Sequence, residues 1–143
     1  MTDRLTSLTS RLRDLGAPNP ESWAQSELAE DIPQTARYVA LRRLWPELIQ
    51  PWRDHDTLRR VPATKKILDA GVDPAVLSAA LCSVAYEAVA GTLWELWDQP
   101  DDVPHGRFVE VDEHGNLTGR SVDGLHESLL SLDPSGNDGS DFL

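Results

Sequence analysis

The chain has 143 residues, 24 of them acidic and 13 basic, and a formal net charge of −11. This length predicts one domain, the excess of acids argues against nucleic-acid binding, and a single cysteine excludes an intramolecular disulfide or a cysteine zinc site. Because no stretch of eighteen apolar residues is free of charge and the N-terminus lacks an apolar signal core, we expect a soluble cytoplasmic protein with no membrane partner.

The first 45 residues predict three helices, at 3–15, 21–30 and 33–45. Leucines at positions 5, 8, 12 and 15 form one apolar stripe on the first helix, and Gly16 ends it. Each of the next two begins near a proline, at positions 20 and 33, which is favoured in the first turn. On the third helix we expect one set of side chains to face the core: Ala36, Val39, Ala40 and Leu44. We expect the arginines to face solvent: Arg37, Arg42 and Arg43.

The middle of the chain is irregular and basic. Pro46 is expected to break or kink the third helix, and short helices are predicted at 57–60, capped by Asp56, and at 62–70, ended by Gly71. Residues 37–66 hold eight Lys or Arg against three acids, so this segment carries +5 and the remainder −16. Such a segment either pairs with acidic flanks inside the fold or presents a basic face to an anionic partner.

Residues 74–98 predict the central, buried helix of the molecule. Asp73 caps its first turn and Pro74 occupies the first helical position. Apolar residues lie on most of its sides, which is typical of an enclosed helix. After a loop at 99–104, alternating residues around His114-Gly115-Asn116 predict a β-hairpin at 107–120, followed by a short helix or turn at 124–132. We therefore expect a mainly α single domain, residues 1–132, with a flexible tail at 133–143.

Three residues are candidates for catalysis. Glu87 lies in the middle of the predicted buried helix, where a carboxylate needs a partner or acts as an acid or base. His126 and Glu127 follow a glycine turn and provide a possible general base, although a structural pair is the simpler interpretation. No nucleophile motif, HExxH sequence or nucleotide-binding loop accompanies them. We therefore lean against an enzyme and expect no cofactor.

Binding and metal sites have weaker support. Trp45 and Trp52 lie near a cluster of arginines, and exposed together they would form a hot spot, whereas tryptophans at kinks more often fill the core. The arginines concerned are Arg42, Arg43 and Arg53. His55 and Asp56 are weak metal candidates, because adjacent side chains on a turn point in different directions. A helix cap at Asp56 explains the same residues more simply.

The C-terminal third carries one resemblance. The sequence RFVEVDEHGNLTGR at 107–120 is followed by GLHESLLSLDPSG at 124–136, and ILDAGVDP occurs at 67–74. Together these resemble short bacterial proteins, a domain family of unknown function, with a helical body, a hairpin and a Gly-Leu-His-Glu-Ser segment. The resemblance implies a bacterial origin and this order of elements, and no activity.

These observations favour a small acidic protein that binds another protein without catalysis, as inhibitors, immunity proteins and regulators do. A basic partner would contact acids near the hairpin: Asp101, Asp102, Glu110, Asp112 and Glu113. One alternative is an enzyme, or a protein that binds a small ligand or metal, with a polar pocket at Glu87 and His126. Another is a homodimer joined through the hairpin edge or the central helix.

Overall fold

The structure, a computed structural model, describes residues 2–98 and 107–143. The described residues form seven α-helices and a two-stranded antiparallel hairpin near the C-terminus, which confirms the mainly α prediction. The helices are α1 (Thr2–Asp14), α2 (Pro20–Glu30), α3 (Gln34–Leu41), α4 (His55–Arg60), α5 (Pro62–Asp69), α6 (Pro74–Leu93) and α7 (Leu125–Ser128). The strands are β1 (Val109–Val111) and β2 (Leu117–Ser121). The predicted loop at 99–104, with Asp101 and Asp102, lies outside the described residues.

Helices α1 and α2 form an N-terminal pair. The leucine stripe of α1 faces the core as predicted. Leu12 is fully buried, and Leu5, Leu8 and Leu15 pack against the core. Gly16 ends α1 with a positive φ of 82°, a conformation that glycine adopts without steric cost. Its N–H donates to the Arg13 carbonyl, so this carbonyl in the last turn of the helix has a local hydrogen-bond donor.

Helix α3 matches the predicted face only in part: Ala36 and Leu44 pack against the core, and Arg42 and Arg43 are exposed, as expected. Arg37, Tyr38 and Leu41 are buried, whereas Val39 and Ala40 are exposed. The buried row continues through Trp45 and Ile49, both at 0% exposure, at spacings of three and four residues. The prediction was wrong for Arg37, Val39 and Ala40. It assigned arginine to the solvent by residue type alone, whereas the Arg37 guanidinium donates to the Gly124 carbonyl and the Ser128 hydroxyl.

The chain stays helical past Pro46 instead of breaking there. Residues Trp45–Ile49 form a π-helical turn, and Gln50–Arg53 continue as a 3₁₀ turn. The wider π turn accommodates proline at its second position and keeps Trp45 and Ile49 directed into the core.

Helix α4 is capped by Asp54, not by Asp56. The Asp54 carboxylate accepts hydrogen bonds from the backbone N–H and the hydroxyl of Thr57, at 2.9 and 2.8 Å. These bonds are the largest cause of a lowered pKa at Asp54. The helix thus begins at His55, two residues before the start that a cap at Asp56 would require.

Helix α6 has the predicted boundaries at its N-terminus but not the predicted burial. The Asp73 carboxylate accepts from the Ala75 N–H at 2.7 Å, and a π-helical turn at Trp94–Asp98 extends the helix. Only three side chains of α6 are buried: Leu77, Cys82 and Leu93. The turns at 45–53 and helix α7 pack along one side of α6, and Val76 and Val84 on the other side remain 63% and 66% exposed.

The hairpin is a solvent-exposed extension held to the helices at its base. Val109 pairs with Ser121 and Val111 with Leu117, with a bulge between them. At its turn, the Asp112 carboxylate accepts from the N–H groups of His114 and Asn116.

The composition predicts a flexible tail at 133–143; the structure buries Asp133 and Gly139, half-buries Phe142 and leaves the other residues of the segment exposed. The Asp133 side chain is fully buried and accepts from the N–H groups of Ser135 and Gly139, at 2.9 and 3.0 Å. The centroid of the Phe142 ring lies 6.1 Å from that of the Trp45 ring and 6.3 Å from that of the Tyr86 ring. A polar segment is thus attached by one aromatic side chain and one buried carboxylate.

Candidate functional site

The structure places Glu87 on the exposed side of α6. The prediction of a carboxylate enclosed by apolar side chains is therefore wrong. Burial raises the pKa of the adjacent Tyr86, and the negative charge of Glu87 adds to that rise. Neither Glu87 nor His126 lines the cavity beneath the hairpin, the groove between α3 and α6, or the smaller cavities beside Arg53 and Trp23. The geometry gives no support to a shared pocket for these two side chains.

His126 and Glu127 lie on the short helix α7. The His126 ring packs edge-on against the Trp94 ring, with centroids 4.9 Å apart. Glu127 is exposed. A Cβ at Gly124 would lie 2.9 Å from Arg37 Nη2, so this glycine admits the guanidinium that fixes α7 to α3. The contacts around α7 are those of a structural junction.

The tryptophans and arginines proposed for binding do not form one exposed surface. Trp45 is fully buried, so it has no area to offer a partner, and Trp52 packs against the core. Arg53 is bound within the molecule, to Asp133 at 3.3 Å and Asp141 at 2.9 Å. The two other arginines, Arg42 and Arg43, are exposed just after the end of α3.

His55 and Asp56 are both exposed on the first turn of α4. Within residues 2–98 and 107–143, no group of three or more His, Cys, Asp or Glu side chains is arranged to hold a metal ion. The lone Cys82 is buried, and burial raises the pKa of its thiol, which disfavours the reactive thiolate.

The most unusual surface is the uncovered side of α6. We define the open face of α6 as Val76, Ala80, Val84, Ala88 and Gly91, all exposed and spaced at three or four residues. The helix over Pro74–Trp97 is also long and apolar enough to cross a membrane, yet only 17% of its most apolar eighteen-residue window is buried. A helix of this composition in a soluble fold is usually covered on most sides. The open face therefore requires an explanation.

An apolar groove adjoins the C-terminal half of the open face. Its volume is about 380 Å³, and its walls come from α3, the π turn at 45–49, α6 and Phe108. Leu48 and Ala88 expose apolar surface at its edges. The Trp97 and Phe108 rings stack at 4.6 Å and close one end of the groove. The open face and this groove form adjoining apolar surfaces.

A second cavity, of about 640 Å³, separates the hairpin from helices α1 to α3. At its floor the buried Glu27 carboxylate accepts from the N–H and hydroxyl of Thr35, both at 2.8 Å, and from Arg120 at 3.1 Å. Arg120 also binds Glu110 at 2.8 Å. Burial alone would raise the pKa of Glu110, but the hydrogen bonds from Arg120 and Thr118 outweigh it and the pKa is lowered.

Sequence reasoning missed this cluster because its members lie far apart in the chain. Glu27 and Arg120 are separated by 93 positions, and each resembles an ordinary surface residue of its element. Only the placement of Glu27 at a position facing the hairpin reveals the pair. The cluster attaches the hairpin to α2 and so determines the shape of the 640 Å³ cavity.

The fold and its surfaces thus define a mainly α protein with an open apolar helix face and a charged cleft beneath a hairpin. Comparison of the chain with protein-family models, with curated proteins and with solved structures finds no match. The open face and the cleft beneath the hairpin are therefore the features that bear on function.

Proposed function

We propose that this protein is a non-enzymatic protein–protein interaction module that docks its partner on the open face of α6. The observation that carries the proposal is the exposure of Val76 and Val84, at 63% and 66%, on the most apolar helix of the chain. Contiguous exposed apolar surface on a soluble protein marks an interaction site far more often than scattered apolar residues do.

The energetics favour coverage of this face. Burying a fully exposed valine stabilises by roughly 1.5–3 kcal/mol, so covering these two would contribute about 1 kcal/mol or more each. The remaining positions, Ala80, Ala88 and Gly91, carry little or no side chain. A partner helix can approach them closely, so that backbone and side chains pack without voids.

A protein partner suits this face better than a lipid surface. Helices that lie on membranes carry Lys and Arg beside their apolar face, whereas α6 has neither residue. Glu87 and Glu95 are exposed toward its C-terminal half, and a carboxylate is costly to insert into hydrocarbon. A protein partner can supply a cation to each carboxylate.

The acidic character of the chain fits the same proposal. Of the acids expected near the hairpin, Glu110 is bound to Arg120, while Asp112 and Glu113 remain exposed at the turn. With Glu87 and Glu95 they would steer a basic partner and make association sensitive to salt. A small cytoplasmic bacterial protein of the inhibitor, immunity or regulatory type is the form of this proposal that the size and the acidic charge favour, and the resemblance adds only the bacterial origin.

Photo-crosslinking in the cells that produce the protein tests the docking surface. A photoreactive residue at position 84 is expected to form an adduct with a protein, whereas the same residue at position 29, exposed on α2, is expected to form none. Adducts at neither site, or equally at both, would contradict the proposal. Recovery of lipid instead of protein at position 84 would also reject it.

A small-ligand function has one supporting observation, at the cleft and not at Glu87. The cleft of about 640 Å³ is large enough for a small molecule, and Arg120 Nη1, buried there without a hydrogen bond, has only the exposed Asp31 carboxylate at 3.8 Å. A thermal-shift screen of small carboxylic acids, comparing the natural chain with Arg11→Ala at the cleft wall, tests this alternative. Stabilisation of both chains equally, or of neither, would argue against the cleft.

A further inference from the structure

We propose that the cleft beneath the hairpin receives an extended peptide segment of a partner protein, which adds to the outer edge of β1 as a third strand. Among the described residues, none that lines this cleft belongs to α6, so the site is separate from the open face. Two observations carry the inference: the direction of the backbone groups of β1, and the path of the cleft around that strand.

The hydrogen bonds of the hairpin fix the direction of the backbone groups in β1. The Phe108 carbonyl and the Asp112 N–H are both bonded across the hairpin, at 2.9 Å each. Because bonded and unbonded residues alternate along an antiparallel ladder, the N–H and carbonyl groups of Val109 and Val111 point away from β2. An outer edge of this kind is a template for the backbone of another strand.

The cleft follows this outer edge. Its lining includes every residue from 108 to 114, and successive side chains along β1 point to opposite faces of the hairpin. From β2 it includes only Thr118 and Arg120, whose side chains both bind Glu110 and so share one face. A cavity that touches both faces of β1 but one face of β2 passes around the outer edge of β1. The outward backbone groups of that strand therefore face the cleft.

The opposite wall of the cleft fits the side chains of an extended peptide. Leu8, Ala36 and Val39 give this wall an apolar stretch along α1 and α3, which suits alternate apolar residues of a strand. The wall is basic where α1 exposes Arg4 and Arg11, one turn to either side of Leu8. The matching peptide therefore also carries a carboxylate for these arginines.

Charge has a smaller part than the backbone in selecting the occupant. The hairpin turn exposes Asp112 and Glu113 at the rim of the cleft, so acids and bases nearly balance around it. A small carboxylic acid could bind the arginines but would leave the outward N–H and carbonyl groups of β1 unused. An extended peptide can pair with both.

A displayed library of random heptapeptides, screened against the natural chain, provides the probe. We expect the selected peptides to share alternating apolar residues, and the tightest is synthesised for affinity measurements. Val111→Pro removes an N–H that points away from β2, where proline is compatible with the hairpin, and should weaken binding about tenfold or more. Leu117→Pro is the matched control on the outer edge of β2, away from the cleft, and should leave the affinity unchanged.

Amide hydrogen exchange reports where the peptide lies. The N–H groups of Val109 and Val111 should exchange rapidly in the free chain, whereas the Asp112 N–H is bonded within the hairpin. A peptide that adds as a strand should slow exchange at Val109 and Val111 about tenfold or more and leave Asp112 little changed. This measurement uses the natural chain, so it decides the question even if Val111→Pro fails to fold.

The inference is overturned if the library yields no peptide, if the selected peptide binds Val111→Pro as tightly as the natural chain, or if it binds without slowing exchange at Val109 and Val111. A mass of twice 15.8 kDa with both amides protected in the absence of peptide would instead place a second copy on the edge. Stabilisation by a small carboxylic acid, with no peptide bound, would assign the cleft to a small ligand. Crosslinking at position 84 does not involve β1, so the proposed function and this inference can fail separately.

Discussion

The open face of α6 and the C-terminal segment 133–143 reverse the usual relation between composition and burial. Helix α6 is the most apolar element, yet Val76 and Val84 are largely exposed. The C-terminal segment is rich in Gly, Ser and Asp, yet Asp133 is fully buried and Phe142 packs against Trp45 and Tyr86. The reversal holds at these positions, since α6 also contains the buried Leu77, Cys82 and Leu93, and most of the C-terminal segment is exposed.

The burial of a segment therefore depends on what the rest of the chain places against it, and not on its composition alone. The polar segment is held because Asp133 satisfies the N–H groups of a tight turn and pairs with Arg53. One side of α6 is uncovered because helix α7 and the turns at 45–53 pack along its other side. Substitutions that remove the contacts of the C-terminal segment should lower the stability of the fold. A polar substitution on the open face of α6 should not.

The largest effect on stability is expected from Asp133→Ala. The substitution leaves the N–H groups of Ser135 and Gly139 without their acceptor and removes the buried carboxylate that pairs with Arg53, and removing one partner of a buried ion pair costs about 3–5 kcal/mol. Urea unfolding at pH 7 measures this loss. Asp141→Ala is the matched control, since it also removes a partner of Arg53 but from a half-exposed position, and it should cost below about 1 kcal/mol. Equal losses would show that the segment is not held by Asp133.

Phe142→Ala should have the next largest effect, about 2 kcal/mol. The ring is half-buried, lies 6.1 Å from Trp45 and has the Arg53 guanidinium 5.5 Å above it, so truncation loses less than the 3–5 kcal/mol typical of a fully buried ring. Heat denaturation followed by near-UV circular dichroism reports both the stability and the environment of Trp45. Phe142→Leu, which retains most of the apolar volume, should lose less. An unchanged melting temperature for Phe142→Ala would mean that the segment does not contribute to the core.

The contribution of Asp133 should also depend on pH. Burial alone would raise its pKa, but hydrogen bonds from Ser135, Gly139 and Arg53 outweigh burial and the pKa is lowered. A carboxyl group whose pKa is lower in the folded state stabilises the fold above its unfolded pKa, about 3.9, and loses that effect as the pH falls through its folded pKa. The difference in unfolding free energy between the natural chain and Asp133→Ala should therefore be constant from pH 7 to about 5 and shrink below about pH 4. A difference that stays constant to pH 2 would contradict this assignment.

The elements of the fold could be predicted from local signals, whereas the surfaces could not. Proline at helix starts, Asp73 as a cap and the His114-Gly115-Asn116 turn act within a few residues, so α6 and the hairpin were predictable. The burial of Arg37 depends on Gly124 and Ser128, about 90 positions away, and the burial of Glu27 depends on Arg120. Hydrophobic periodicity cannot detect such pairs. Nor can it distinguish a helix covered by its own chain from one left open.

The smallest effect on the stability of the monomer is expected from Val84→Gln, although it places a polar amide in the most apolar helix. At 66% exposure the valine loses little burial, and glutamine has the better helix propensity, so unfolding should change by no more than about 0.5 kcal/mol. Leu93→Ala is the control on the packed side of α6 and should cost about 2–5 kcal/mol.

Both variants are compared with the natural chain by urea unfolding at submicromolar concentration, where a weak dimer is dissociated. A large loss for Val84→Gln under these conditions would mean that the chain itself covers the face, and the docking surface would have to be sought elsewhere. A loss that appears only at high concentration would instead measure the stabilisation that a second copy supplies by mass action.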